Sequence, residues 1–180
     1  MSELLARGEL IGLRPLRPED VGERYLGWMR DPEVLRYLEA RFSEQTLASL
    51  RDFVAANADR PDTLLLAICA LDDAETHIGN IKVGPLHPHH GTADVGLIIG
   101  ERAWWGRGAG REAIALATRL AAERLGARKL TASCYGSHVG SAKAFLANGW
   151  TDEGRRPAQF VGEHGVEDQW MLGLVLREGA

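Results

Sequence analysis

Three glycines within five residues interrupt Trp104-Trp105-Gly106-Arg107-Gly108-Ala109-Gly110-Arg111-Glu112-Ala113, and this loop constrains the fold more than any other stretch. It follows a strand-like run, Ala93 to Ile99, and opens a long helical pattern, Arg111 to Leu125. Ile114, Ala117, Leu120, Ala121 and Leu125 form the helix's apolar stripe. A second strand pattern, Lys129 to Cys134, comes next, so the segment reads as a strand–helix–strand unit. Glycines there let backbone N–H groups approach an anion closely, and the helix N-terminus adds partial positive charge. A nucleotide P-loop is excluded because no Gly-Lys-Ser/Thr follows. The dinucleotide fingerprint matches formally as Gly108-x-Gly110-x-x-Ala113, but it needs an acid after the next strand, and that strand ends Ser133-Cys134-Tyr135. A glycine turn with no ligand remains the plain alternative.

The rest of the chain fits around this unit. Leu10 to Leu16 alternates as a first strand. Pro18-Glu19-Asp20 opens a helical pattern through Tyr25, Leu26 and Met29, and Asp31-Pro32-Glu33 repeats that opening before Val34, Leu35 and Leu38. Ser43-Glu44-Gln45-Thr46 starts another helix with Leu47, Leu50, Phe53 and Val54 at helical spacing. Thr63 to Leu71 is a buried strand, Asp72-Asp73 a turn, and Thr76 to Val83 the antiparallel partner. Ser141 to Ala147 is a short helix stopped by Asn148-Gly149. Glu167 to Leu176 is the last strand, paired near Gln159 to Val161. The expected fold is one α/β domain over residues 1–180, with a mixed, mostly antiparallel sheet of about seven strands flanked by helices.

Charge narrows the partners. Twenty-one basic against 25 acidic side chains give a net charge of −4, which argues against a nucleic-acid binder. No run approaches the ~18 apolar residues of a membrane span, and the N-terminus lacks a signal-peptide pattern. Two cysteines, Cys69 and Cys134, make no disulfide framework and sit in apolar runs, so buried thiols in a reducing cytoplasm are expected. His87-Pro88-His89-His90 has no recognised zinc spacing, and no metal is expected there. The chain is expected to be a monomer or homodimer.

The segment Ala93 to Trp150 resembles the core of the GNAT superfamily of acyl-CoA-dependent N-acetyltransferases. Their phosphate loop reads Gln/Arg-x-x-Gly-x-Gly/Ala, and Trp105-Gly106-Arg107-Gly108-Ala109-Gly110 is similar, with Trp105 in place of the first residue. Downstream, His138-x-x-Ser141, Phe145 and Gly149-Trp150 parallel the family's Asn-x-x-Ser/Ala, aromatic and Gly-Phe positions. The Trp-Gly-x-Gly form, Glu112-Ala113, Arg14-Pro15-Leu16, Trp28 and Asp31-Pro32-Glu33-Val34 are similar to the branch of ribosomal-protein N-terminal acetyltransferases.

The resemblance implies acetyl-CoA as cosubstrate, held in a splay between the fourth and fifth strands. Leu97, Ile98 and Ile99 would bond the pantetheine arm. The amides of Trp105, Gly106, Arg107, Gly108, Ala109 and Gly110 would hold the pyrophosphate, helped by the side chains of Arg107 or Arg111. His138 would stand where Asn contacts the cofactor, with Ser141 nearby. The acceptor would be a small-molecule amine or a protein N-terminus. Such amines are mostly protonated at neutral pH, so a base is needed, and Asp94 is the candidate. Ser141 is the candidate proton donor to the thiolate, because Phe145 occupies the position of the family's Tyr, and Tyr135 is the reserve donor. Some relatives carry an acid on the sixth strand, where this chain has Gln159-Phe160. The rival reading is an acyl-CoA-binding module of the same fold that senses without turning over.

Overall fold

A computed structural model describes residues 3–71 and 76–176. The strands are β1 (Ala6–Arg7), β2 (Ile11–Pro15), β3 (Leu64–Ala70), β4 (His77–Val83), β5 (Thr92–Ile99), β6 (Lys129–Tyr135), β7 (Thr151–Gly162) and β8 (Gly165–Val175). The helices are α1 (Glu23–Trp28), α2 (Pro32–Leu35), α3 (Leu47–Ala58), α4 (Ala109–Leu120) and α5 (Val139–Leu146). One sheet runs in the order β1-β2-β3-β4-β5-β6-β8-β7. Every neighbouring pair is antiparallel except β5 with β6. The crossover through α4 makes that pair parallel, since a helix returns the chain to the end from which the strand started.

The sheet has eight strands, one more than the sequence suggested. The addition, β1, is two residues long, too short to carry an alternating pattern. Its place is held by Glu112, whose carboxylate accepts from the backbone N–H groups of Glu9, Leu10 and Ile11 at 2.7, 2.9 and 2.8 Å. β7 is also longer than expected, because two irregularities at Asp152/Gly154 and Arg156/Phe160 hide its periodicity. The helix expected from Pro18 is broken: Pro18–Asp20 is a single 3-10 turn, and α1 starts afresh after Gly22. Helix α4 begins at Ala109 and ends in a π turn, Ala121–Leu125. The Asp72-Asp73 turn lies outside the described residues.

Two apolar layers cover the sheet. On one face α4 and α5 bury Ile114, Ala117, Leu120 and Phe145 against Ile11, Leu13, Ile68, Ile81, Leu130 and Leu172. On the other, α1 and α3 bury Tyr25, Leu26, Trp28, Leu50 and Val54 against Leu65, Ala67 and Cys69. Phe53 of α3, expected in that stripe, is 43% exposed instead, beneath the Lys82 ammonium. Both cysteines are buried, and neither is in a disulfide. Among the described residues no helix is long and apolar enough to cross a membrane.

Candidate active site

Pairing between β5 and β6 stops early. Thr92, Ala93 and Asp94 face Lys129, Leu130 and Thr131, and beyond them the two strands have no ladder between them. Each stays paired on its outer side, β5 to β4 as far as Ile99 and β6 to β8 as far as Tyr135. The result is a wedge-shaped gap in the sheet.

Strand alternation decides which backbone groups face it. The Gly84 N–H donates to Asp94 and the Gly100 N–H to Ile78, both 2.9 Å, so even-numbered residues of β5 bond to β4. Leu97 and Ile99 therefore turn their peptide groups into the gap, while Ile98, opposite Asn80, turns its own toward β4. This narrows the expected run of three to two. On β6 the Gly136 N–H donates to Asp168 at 2.8 Å, which leaves Ser133 and Tyr135 facing the gap. Peptide groups without a ladder need another partner. The Ile99 carbonyl has one, accepting from the Trp105 indole N–H at 2.7 Å.

The gap leads to the glycine loop. Gly106 (φ +71°) and Gly108 (φ +95°) are both left-handed, a conformation that costs any other residue, and Gly108 is the N-cap of α4. Gly110 is the second residue of α4, and a Cβ there would meet Leu97 and Ile99 side chains at 3.7 Å. The positive end of a 12-residue helix thus points along the mouth of the gap. Trp105 is 42% exposed, Arg107 lies over the Trp104 ring at 4.3 Å, and Arg111 is exposed on the first turn of α4.

The three candidates for proton transfer fall on two faces. Asp94 accepts from Thr131 Oγ1 and lines a cleft of about 590 Å³ on the α1/α3 side. Tyr135 is on that side too, its ring stacked on Phe160 with centroids 4.2 Å apart. Its hydroxyl donates to Glu39 and accepts from Arg41 Nη2 at 3.1 Å. Burial and the Glu39 carboxylate push the phenol up to about 12. Ser141 is on the opposite side, the third residue of α5, with its hydroxyl near the Cys134 thiol. Burial pushes that thiol up to about 11, which makes it a poor nucleophile. His138, at the N-cap of α5, stacks on Tyr37 at 4.1 Å, and burial together with Arg36 holds its imidazole below the ordinary value.

No local pattern marks Glu39 and Arg41, which reach Tyr135 from nearly a hundred residues away. Gly96, which lines the cleft, carried one: an isolated glycine within a strand marks close approach, and a Cβ there would meet nothing within 4 Å. Of the histidine cluster, His87 Nδ1 accepts from the His89 and His90 backbones at 3.3 and 3.2 Å, a local turn bond.

The profile of the acetyltransferase (GNAT) domain matches residues 11–151, most of the chain. The chain belongs to the GNAT family. Solved structures with this GNAT fold include an acetyltransferase from Bacillus anthracis, 16% identical with a TM-score of 0.78 over 94% of this chain and 97% of that one. Another is the spermidine N-acetyltransferase from Vibrio cholerae in complex with CoA and spermine, 16% identical, TM-score 0.79, over 92% and 95%. A third is RimL, a ribosomal-protein α-N-acetyltransferase in complex with coenzyme A, 15% identical, TM-score 0.82, over 96% and 98%. At these identities the likeness speaks for the fold. No curated protein sequence matches the chain significantly.

Proposed function

We propose that the protein transfers the acetyl group of acetyl-CoA to a primary amine by direct attack in a ternary complex. The observation that carries this reading is the gap beyond Asp94 and Thr131, which ends at a helix N-terminus preceded by two left-handed glycines. An extended pantetheine arm would use the peptide groups of Leu97 and Ile99, and the amides between Trp105 and Gly110 would hold the pyrophosphate. Arg107 and Arg111 are free to approach phosphate from the loop and the first turn of α4.

Asp94 opens onto the cleft on the face opposite α4, so an amine entering there would meet a carboxylate beside the gap. Its role is to take the ammonium proton, directly or through water. Backbone N–H groups in the gap would stabilise the tetrahedral oxyanion. Ser141 would protonate the departing thiolate from the α5 side, with Tyr135 in reserve. The Tyr135 O–H is already donated to Glu39, which leaves it no proton directed at the thiolate and keeps it the reserve donor. His138, stacked on Tyr37, supports a role in shaping the pocket more than in holding cofactor.

The Trp-Gly-x-Gly loop supports placement in the ribosomal-protein N-terminal acetyltransferase branch, and two buried cysteines outside any disulfide support a cytosolic protein. The test is CoA thiol release across a panel of amines that includes peptides beginning with Ala and Ser. Acetyl-CoA at 100 times its Kd should also stabilise the protein by about 2.7 kcal/mol, and NAD should not. Stabilisation by NAD alone would return the loop to the dinucleotide reading. Tight acetyl-CoA binding with no turnover on any amine would favour a sensor.

A further inference from the structure

The cleft beside the gap carries more charge than acetyl transfer uses. Four charged side chains line it: Lys82, Asp94, Glu153 and Arg156. Glu153 is neutralised by Lys129, Nζ to Oε1 at 2.5 Å. Asp94 is held by the Thr131 hydroxyl, a neutral donor. Lys82 Nζ sits 5.6 Å from the centre of the Phe53 ring, and Arg156 makes one long bond, 3.4 Å, to Gln169 Oε1. Among the described residues neither cation has a carboxylate within ion-pair distance. The cleft thus offers one carboxylate and two cations that have no counter-charge of their own.

The backbone holds Arg156 at this spot by an irregular device. Arg156 pairs with Gln169, and the next regular pair is Phe160 with Glu167. Pro157, Ala158 and Gln159 bulge out opposite Asp168, whose carboxylate accepts from the Ala158 N–H at 3.0 Å while Ala158 adopts φ +53°. Bulges of this kind end regular pairing and re-aim neighbouring side chains. Gln169, the cross-strand partner, is itself fixed by donating to Ser133 Oγ at 2.9 Å.

We propose that the acceptor is an amine that also carries a carboxylate, its nitrogen directed to Asp94 and its anion taken by Arg156 with Lys82 beside it. This rests on the transferase reading above and names the acceptor class for that site. A guanidinium fork matches a carboxylate in two parallel hydrogen bonds, whereas a polyamine would bring only like charge toward Lys82 and Arg156. The carboxylate comes from one of two sources, a free amino acid or an acidic side chain just behind a protein N-terminus.

The test compares CoA thiol release for matched acceptors: glutamate against glutamine α-amide, which carries no carboxylate, and Ser-Glu against Ser-Gln peptide amides, with spermidine alongside. The anion-bearing member should be favoured at least about 10-fold in kcat/KM in one series, and that series names the source. Arg156→Gln should cut the ratio below about threefold by raising KM for the anion-bearing acceptor, and Arg156→Lys should restore part of it. Calorimetric binding of the N-acetylated products, which needs no turnover, is measured in parallel. Charge-selective product binding without thiol release keeps this proposal and removes the transferase reading. Thiol release without charge selectivity does the reverse. Spermidine used as well as the best carboxylate, a ratio unchanged in Arg156→Gln, or no charge preference in either measurement overturns the proposal.

Discussion

The Tyr135 hydroxyl donates to the Glu39 carboxylate while accepting from Arg41, so one phenol ties the turn after α2 to the strand that borders the gap. Its pKa of about 12 follows from that bond and from burial. The phenol is raised above its ordinary value, so whatever stability the neutral form lends is complete below pH 10 and is lost as pH climbs through 12. Glu39→Gln should bring the ultraviolet titration of Tyr135, identified by its loss in Tyr135→Phe, back toward pH 10. A Tyr135 midpoint unmoved by Glu39→Gln would mean that burial alone sets it.

The same geometry separates the two proton donors. Ser141→Ala should lower kcat by about 10-fold to 100-fold, the low end for acid catalysis because a thiolate leaves readily, with acetyl-CoA affinity nearly intact. Tyr135→Phe should cost less. A higher acetyl-CoA KM with kcat preserved in Ser141→Ala would make the hydroxyl a tether, and a large loss confined to Tyr135→Phe would transfer the role.

Asp94→Asn keeps the Thr131 hydroxyl partnered but removes the base. kcat/KM for a protonated amine should fall about 10²–10⁴-fold, and raising the pH should recover part of it by supplying free amine. Wild-type rates with Asp94→Asn at neutral pH would show that water or another group takes the proton.

The two loop glycines should respond differently. Gly108 is left-handed, so Gly108→Ala strains the loop by about 1–2 kcal/mol and should weaken acetyl-CoA binding. Gly110→Ala adds a methyl at ordinary contact distance and should bind nearly normally, whereas Gly110→Val intrudes between α4 and β5. Normal acetyl-CoA affinity in both Gly108→Ala and Gly110→Val, measured by calorimetry, would remove the phosphate cradle.

Gly96→Leu fills space in the cleft without meeting a neighbouring atom at Cβ. The variant should fold and bind acetyl-CoA, yet show a raised acceptor KM. An unchanged acceptor KM would place the amine elsewhere.

How much of this was legible in the sequence follows the range of the forces involved. The glycine loop and α4 could be read because positive φ and helical spacing are written in adjacent residues. Asp31 at the N-cap of α2 was equally local, accepting from the Glu33 N–H at 2.9 Å. The two-residue β1 was not, because its anchor is a carboxylate about a hundred positions away. Nor was the far wall of the cleft, where Arg156 and Gln169 are positioned by a bulge that erases the alternation of β7. Ser141 was found by resemblance, but only the fold puts it across the sheet from Asp94.

The sheet's central seam has a consequence for how this protein holds itself together. Among the described residues three ladder pairs, Thr92 to Asp94 with Lys129 to Thr131, stitch β1–β5 to β6–β8, with the Gly91 carbonyl accepting from Arg128 and Lys129 just before them. Past that point neighbouring amides on one strand live under opposite regimes. The Gly96 and Ile98 N–H groups are locked into β4, while those of Leu97 and Ile99 look into the opening. Deuterium should therefore enter β5 at every second residue, fast at Leu97 and Ile99 and slow between them, and a ligand lying along the opening should erase that stripe.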